Sequence, residues 1–485
     1  MDTPATAAVE ATGRDTPPVS RLKPDALGVL GILFLVLSAQ APLTGIAGAL
    51  PIAVLLGNGP AVPAAYLVVG LIILLFSVGF AAMGRHVVDA GAFYVYIGKG
   101  LGRTAGTGSA AVALFAYCTI QAAIYGLYGS IVSGLVAQYT GLEAPWWVWT
   151  LVTIAVVQGL GQAGIEIGAR VLAVLVLAEF SILLVFSLIT FVKGGGPEGL
   201  GVAAAFSPAS ALSGTPGIAL MFAVASMFGF EATAIYGEEA RDARRTVPRA
   251  TYLAVLVVSA FFVFTSWMVI SAYGSSKAVA AAGAAVEGGD SAAFVFDPVA
   301  AQLGAWVNGV LPVLLATSLF AGMLAFHNSA GRYLFSLGRE GVLPRRLTSI
   351  NRRHAPWLAG WTQTVIAVLL VLPFAVAGGD PVLTLFSWFS GVAVLAMMLM
   401  YLLTSVSVIV FFRRERVDTR PWNTLIAPAL GALGLAGAVW LILANFPTLI
   451  GGSTATAIWL ACCVPVMMLL GVLAALRVRR RAPGA

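Results

Sequence analysis

Apolar runs close to 20 residues or longer alternate with short polar segments along most of the chain. A membrane-spanning α-helix needs about 20 mostly apolar residues, and no segment alternates apolar and polar positions as a membrane β-strand does. The pattern therefore predicts an all-α polytopic membrane protein with twelve spans. The predicted spans are residues 27–56, 61–84, 104–139, 146–163, 168–192, 213–237, 247–273, 300–337, 357–378, 382–412, 423–445 and 453–476.

The composition agrees with a membrane protein. Of the 485 residues, 60% are hydrophobic and only 10% are charged, whereas a soluble protein carries about a quarter charged residues. The net charge of +7 needs no nucleic acid to explain it, because it suits a chain that faces the anionic inner leaflet of a lipid bilayer.

The basic residues predict the orientation of the twelve spans. If the chain starts inside, every Lys and Arg lies in a cytoplasmic segment or at its edge, except Lys193 and Lys277. This asymmetry follows the positive-inside rule, so both termini are expected in the cytoplasm and the protein in the cell membrane. Residues 1–24 are polar and rich in Pro and Thr, without the apolar core of a signal peptide, and are predicted to be a flexible cytoplasmic tail.

No motif in the sequence indicates an enzyme or a cofactor. The run GGGPEGLG contains a G-x-G-x-x-G at Gly194, Gly196 and Gly199 but follows no predicted strand, and the run GKGLG does not complete a phosphate-loop pattern. The three cysteines, Cys118, Cys462 and Cys463, lie inside apolar spans without metal-ligand spacing and are predicted to act as small hydrophobic residues. We therefore expect no catalytic residues, no bound metal and no cofactor.

Two of the predicted spans contain helix-breaking residues near their middle. The first span carries the run APLTG at 41–45, and the sixth carries MFGFEA at 227–232. Proline removes a backbone donor and glycine relaxes the backbone, so both helices are expected to unwind there. Unwound backbone at membrane depth is tolerated only inside the protein or along a cavity. A packed helix kinked by proline is the alternative for the first span.

The two interruptions lie about 185 residues apart, and so do Pro63 and Pro248, which both suit the first turn of a helix. Span 2 starts outside and span 7 starts inside, so the equivalent helices are inverted. The pattern predicts a 5+5 inverted repeat of residues 25–205 and 206–412, followed by two helices and a basic tail in 413–485. Interrupted spans at matching positions of inverted halves point to the substrate site of a secondary transporter.

Three sequence motifs, in the same order, resemble those of the amino acid–polyamine–organocation permease superfamily. They are DAGAFYVYIGKGLG (89–102), FGFEATAIYGEEARDARRTVPRA (228–250) and GRYLFSLGREGVLPRRL (331–347). The resemblance implies the leucine-transporter-like fold, with helices 1 and 6 broken. It also implies uptake or exchange of amino acids or amines, often coupled to protons, with sodium as the other coupling ion.

The resemblance also assigns substrate-binding roles to the two interruptions. Backbone N–H groups of Thr44, Gly45 and Ile46, with Gly48 nearby, correspond to the part that holds a substrate carboxylate, and a helix N-terminus favours anions. The family pattern there is richer in glycine, so the floor of the pocket differs in this chain. Residues 228–230 (Phe228, Gly229 and Phe230) correspond to the segment whose carbonyls accept a substrate ammonium.

Two carboxylates, Glu231 and Glu179, lie well inside predicted spans. A charge at the bilayer centre costs about 2.5 kcal/mol or more, so each is expected to face protein or water, or to carry a proton. Glu231 stands where some relatives carry an acidic residue; it is either a coupling group or a buried cap of the helix break. Glu179 stands where some relatives carry a lysine that replaces a coupling sodium. It is either a proton carrier or a structural hydrogen-bonding group.

Other polar residues within spans have both a functional and a packing interpretation. His327 in span 8 is a candidate proton relay that could meet Glu179, or a packed histidine. Tyr117 and Gln121 share one face of span 3 and either line the pocket or pack between helices.

These observations predict a permease for an amino acid or related amine that works by alternating access, coupled to protons or exchanging substrates. One alternative is a polyamine or organic-cation importer in which Glu231 binds the amine. An alternative of another class is a channel or a non-transporting receptor built on the same scaffold.

Overall fold

The computed structural model of the protein describes residues 27–87, 93–163, 165–353, 355–451 and 453–481. The predicted tail at 1–24 and residues 89–92 of the first motif lie outside these ranges. Nineteen α-helices account for most of the described residues. They are α1 (Val29–Gln40), α2 (Leu50–Leu56), α3 (Val62–Gly84), α4 (Phe93–Leu101), α5 (Arg103–Thr140), α6 (Trp146–Ala163), α7 (Ile165–Val192), α8 (Val202–Phe206), α9 (Pro208–Ala211), α10 (Pro216–Met227), α11 (Ala232–Ile235), α12 (Ala243–Tyr273), α13 (Ala278–Glu287), α14 (Ala293–Leu303), α15 (Val307–Arg339), α16 (Trp357–Val376), α17 (Ser387–Glu415), α18 (Ala427–Leu449) and α19 (Thr454–Arg481).

Within the described residues, nine helical stretches are long and apolar enough to cross a membrane. They coincide with predicted spans 2, 3 and 6–12, so the prediction of a helical protein with many apolar spans is confirmed. The other three predicted spans have identifiable differences. Span 1 is divided into α1 and α2. Span 4 corresponds to α6, which carries three tryptophans and two glutamines among its 18 residues. Span 5 corresponds to α7, and most side chains in the first third of that helix are not among those that the structure describes. The number twelve stays a prediction.

Two elements differ from those predicted. Span 8 was expected to begin at residue 300, but α14 is a separate helix and α15 begins at Val307. Gly304, with φ of 99°, separates the two helices in a conformation that favours glycine. Residues 85–103, which the predicted bounds leave between spans 2 and 3, contain α4, because Phe93, Tyr96 and Ile97 share one helical face and are buried.

The core lies where long helices cross. α3 packs against α12, and α5 packs against α15, α17 and α19. Small residues allow the closest approaches. A Cβ placed on Gly70 of α3 would lie 2.8 Å from the side chain of Ser259 in α12, and one on Gly106 of α5 would lie 2.8 Å from the Cα of Gly98 in α4. Close backbone packing of this kind replaces hydrophobic burial as the force between helices in a membrane.

Alanine substitutions at two glycines of α5 should have opposite effects on stability. At Gly106 the new methyl group meets backbone atoms of α4 at 2.8 Å, so Gly106→Ala should destabilise the protein by about 1–3 kcal/mol. At Gly134 nothing lies within 4 Å, so Gly134→Ala should be neutral or stabilise by up to about 1 kcal/mol through helix propensity. Thermal unfolding of the detergent-solubilised variants measures both effects, and equal shifts would contradict the predicted contact between α4 and α5.

Candidate functional site

The first helix is interrupted where the sequence predicts it. α1 ends at Gln40, and Ala41 has a φ of 42°, in the left-handed region. Pro42 follows, and a π-helical turn, Thr44–Ala49, leads into α2. The left-handed conformation costs an L-residue roughly 1–2 kcal/mol. Such a backbone persists only where the surrounding structure holds it, which is typical of functional positions.

The second interruption follows α10. Phe228 is extended, with φ of −62° and ψ of 133°, and Gly229 has a φ of 115°. Only glycine enters that region readily, which explains the glycine at this position. The chain becomes helical again at α11, after two backbone hydrogen bonds from Ala232 to Gly229 and from Thr233 to Phe230.

The two interruptions contact each other. The side-chain amide of Gln40 donates a hydrogen bond of 3.1 Å to the carbonyl of Met227. Tyr66 of α3 donates to the carbonyl of Gly45 at 3.2 Å, and its hydroxyl lies 3.1 Å from the Oγ of Ser226. The predicted substrate segments of helices 1 and 6 are therefore neighbours, joined by side chains that bridge the gap.

Glu231 is completely buried at the second interruption. Its Oε1 accepts a hydrogen bond of 3.0 Å from Tyr117 of α5. Its Oε2 accepts one of 3.1 Å from Tyr401 of α17 and one of 3.0 Å from the backbone N–H of Gly229. The carboxylate thus caps the helix break and at the same time ties it to two other helices.

Glu179, only 1% exposed, lies at the first interruption. Its Oε2 accepts a hydrogen bond of 2.7 Å from Ser318 of α15 and a long one, 3.4 Å, from the N–H of Leu43. Its Oε1 has no hydrogen-bond partner. Each interruption therefore has a buried carboxylate beside it, and the two differ in how completely they are hydrogen-bonded.

The expected meeting of His327 with Glu179 is wrong. Ser318 is the residue of α15 that reaches Glu179, and His327 follows nine residues later, two and a half helical turns away and therefore on the opposite face. The ring of His327 lies instead against α6 and α16: a Cβ on Gly161 would be 2.8 Å from its Cδ2, and one on Gly360 would be 3.5 Å from its Nε2.

The side-chain amide of Gln121 forms hydrogen bonds to two neighbouring helices, one through its nitrogen and one through its oxygen. Its Nε2 donates to the carbonyl of Met323 in α15 at 2.9 Å, and its Oε1 accepts from Gln363 of α16 at 2.6 Å. The thiol of Cys118 donates to the same Gln363 at 3.1 Å. This arrangement favours the packing interpretation of Gln121.

The residues predicted to hold a substrate carboxylate are tightly packed. Thr44, Gly45, Ile46 and Gly48 are all buried within the π-helical turn. The N–H of Gly45 donates to the carbonyl of Ala41 at 3.1 Å. A Cβ on Gly45 would lie 2.5 Å from the ring of Phe262, and one on Gly48 would lie 2.8 Å from Leu127.

The two phenylalanines at the second break belong to an aromatic layer. The ring of Phe228 packs edge-on against Tyr117, with centroids 5.8 Å apart, and Phe230 packs against Tyr401 at 5.4 Å. Both rings are buried, so this layer covers Glu231.

Three residues of the site were missed in the sequence: Tyr66, Ser318 and Tyr401. Each is a polar side chain inside an apolar span, which is itself the signal for a functional or structural contact in a membrane protein. Nothing in the sequence shows which helix each one faces.

Comparisons with known proteins agree on one family. The sequence profile described as amino acid permease matches residues 27–470. The proline-specific permease of Emericella nidulans is 25% identical over 326 residues, 61% of this chain and 57% of that protein. The branched-chain amino acid permease BcaP of Lactococcus lactis is 24% identical, over 65% of this chain and 70% of that protein. The low-affinity putrescine importer PlaP of Escherichia coli is 24% identical, over 59% and 60%. The chain thus spans 57% of the length of the first of these relatives.

Among solved structures, a manganese transporter of Eremococcus coleocola shares the fold. The match covers 95% of this chain and 99% of that chain, with a TM-score of 0.57 and 15% sequence identity. At this identity the similarity concerns the fold alone.

Removing either tyrosine hydroxyl that bonds Glu231 should destabilise the protein. Tyr117→Phe and Tyr401→Phe each deprive a buried carboxylate of a donor, at a cost of about 1–3 kcal/mol. Tyr139→Phe, at a side chain that is 60% exposed on α5, is the matched control and should have no effect. Thermal unfolding measures the shifts. If Tyr401→Phe costs as much in a Glu231→Ala background as in the wild type, the two side chains are not coupled.

Proposed function

This chain belongs to the amino acid permease family, and on that premise we propose that it is a secondary active transporter. It moves an amino acid or a related amine across the cell membrane by alternating access, coupled to protons or by exchange. The observation that carries this proposal is the contact between the two interrupted helices, because discontinuous helices form the substrate site in transporters of this kind.

The substrate lies between the two interruptions in this proposal. The backbone of residues 44–46 and Gly48 forms one side, and the carbonyls of residues 228–230 form the other. Tyr117 borders this region through its contact with Phe228. Because the N–H of Gly45 and the carbonyl of Met227 are hydrogen-bonded within the protein, substrate entry requires the two segments to rearrange.

The proposed fold has twelve spans, with a 5+5 inverted repeat in residues 25–205 and 206–412. The packing of α3 against α12 and of α5 against α15 supports it, since these are the pairs that an inverted repeat makes equivalent. Pro63 lies in the first turn of α3, as expected, whereas Pro248 is inside α12, beyond the first turn that begins at Ala243, so the two prolines are not equivalent in position.

An ion pair and two backbone hydrogen bonds join helices at the end of the bundle that its basic residues assign to the cytoplasm. Arg332 of α15 and Glu239 form an ion pair of 3.1 Å, with side chains 5% and 4% exposed. The N–H of Leu27 donates to the carbonyl of Glu239 at 3.0 Å, and that of Arg241 donates to the carbonyl of Leu27 at 2.8 Å. These bonds tie the start of helix 1 to the segment after α11, and their separation would open the cytoplasmic path in alternating access.

Glu231 is the proposed coupling group. As an ionised carboxylate it accepts all three hydrogen bonds from Tyr117, Tyr401 and the N–H of Gly229. A protonated carboxyl group gains an O–H donor and its oxygens become weaker, neutral acceptors, so all three hydrogen bonds lose strength. Protonation therefore loosens the connection between the second interruption and helices α5 and α17, which links proton binding to closure.

Glu231→Gln tests the coupling. Glutamine keeps the size of the side chain and cannot change its protonation state, so we expect substrate binding to persist while stimulation of uptake by a pH gradient falls at least fivefold. A thermal-shift screen of amino acids and amines identifies the ligand. Uptake into proteoliposomes with and without a pH gradient then gives the result. Glu198→Gln, at an exposed carboxylate bonded to Ser276, is the control.

The same assay separates the other classes of function. Uptake by Glu231→Gln that still responds fully to the pH gradient would remove Glu231 from the coupling mechanism. Dissipative flux without counterflow stimulation would identify a channel, and ligand binding without any flux would identify a receptor.

A further inference from the structure

Three buried oxygen atoms without hydrogen-bond partners lie at the first interruption. They are the Oε1 of Gln40, the Oγ1 of Thr44 and the Oε1 of Glu179. Their side chains belong to residues that are 5%, 8% and 1% exposed. Leu43, between Gln40 and Thr44 in the chain, donates its N–H to the other oxygen of Glu179. Buried polar atoms are normally paired; two of these are acceptor oxygens and the third is a hydroxyl that can also accept, so together they call for a donor.

The charges inside the described part of the bundle are unbalanced. The side chains there that are both buried and charged belong to Glu179, Glu231, Glu239 and Arg332. The guanidinium of Arg332 is engaged with Glu239, and among the side chains that the structure describes no other lysine or arginine is buried. His327 lies on the far side of α15 from Ser318. An isolated ionised carboxylate in an apolar interior is costly unless it is paired or protonated.

Glu231 and Glu179 differ in the number of hydrogen bonds that their carboxylate oxygens accept. Glu231 accepts three hydrogen bonds on its two oxygens. Glu179 accepts one short and one long hydrogen bond on a single oxygen. A cationic group entering the site therefore gains more at Glu179 than at Glu231, whose acceptors are already occupied.

We propose that Glu179, Thr44 and Gln40 form a subsite for a cationic nitrogen of the cargo, so that the transporter prefers an organic amine without a carboxylate beside that nitrogen. This inference rests on the proposed function and narrows its substrate class. An alkylammonium group has three N–H donors, which match the three oxygen acceptors.

A carboxylate on the carbon next to that nitrogen would be repelled by Glu179. The positive end of the second half of helix 1 would otherwise favour such an anion. In this chain, however, Glu179 already takes the N–H of Leu43 at that end. The resemblance-based placement of a substrate carboxylate at residues 44–46 is therefore disfavoured by the protein's own carboxylate.

Equilibrium binding to the purified full-length protein tests the subsite. The ligands are matched pairs of an amino acid and its decarboxylated amine: ornithine with putrescine, and leucine with isoamylamine. We expect the wild type to bind at least one of the amines at least tenfold more tightly than its amino acid. Glu179→Gln should weaken binding of that amine at least tenfold and change amino acid binding less than twofold.

Two further variants keep the test independent of folding. Ser318→Ala leaves the carboxylate in place and removes its short hydrogen bond, so the preference for the amine should persist with a two- to fivefold change in affinity. Ser187→Ala, a buried serine on the same helix α7 whose hydroxyl bonds to Leu183, is the matched control and should bind like the wild type.

An inorganic monovalent cation has the same chemistry, so every titration is repeated with sodium replaced by potassium at constant ionic strength. Sodium-dependent binding of the amino acid that requires Glu179 would assign the subsite to sodium and overturn the proposal. Equal or tighter binding of the amino acids by the wild type, or equal weakening of both partners by Glu179→Gln, would also overturn it. Uptake of the preferred amine by Glu179→Gln at the wild-type rate would refute the amine subsite while leaving the transporter proposal intact.

Discussion

A backbone N–H or C=O group that loses its helical partner inside an apolar bundle must be paired again within the protein, because the bilayer offers no replacement. Both helix interruptions obey this constraint through side chains: three of the new partners lie 21 to 187 residues away in sequence, and the fourth, Glu231, lies two residues from Gly229. The pairs are the N–H of Leu43 with Glu179, the carbonyl of Gly45 with Tyr66, the carbonyl of Met227 with Gln40, and the N–H of Gly229 with Glu231.

This constraint joins structure and function at the same residues. A carboxylate that caps a helix break is an acceptor whose capacity changes when it takes up a proton, so the structural and the coupling interpretations of Glu231 do not exclude each other. The same holds for Glu179, which caps the first break and remains partly unpaired. Motion of the breaks and occupancy of the carboxylates are therefore linked by hydrogen bonds.

Several other contacts between helices are made by groups that do not titrate. The amides of Gln121 and Gln363, with the carbonyl of Met323, connect α5, α15 and α16, and Thr364 bonds to Gln158 between α16 and α6. Neutral amides keep the same donors and acceptors at every physiological pH. These contacts between helices therefore do not change with protonation, whereas those of the carboxylates at the breaks can.

Hydrophobic pattern and helix-breaking residues sufficed to predict much of this arrangement. The run of apolar segments predicted the spanning helices, the runs APLTG and MFGFEA predicted where two of them break, and the rarity of carboxylates inside spans singled out Glu179 and Glu231. These are local properties: segment length, backbone preference and the cost of a charge in lipid act within a few residues.

The hydrogen-bond partners that join different helices could be identified only from the tertiary structure. The sequence placed His327 near Glu179, but helical phase turns that ring away and brings Ser318 there instead. It gave no indication that Tyr117 and Tyr401 converge on Glu231, since they lie 114 and 170 residues from it. Local pattern shows which side chains need a partner in the membrane. Only the packing and rotation of whole helices decide which partner each one meets, because that choice depends on contacts far apart in the chain.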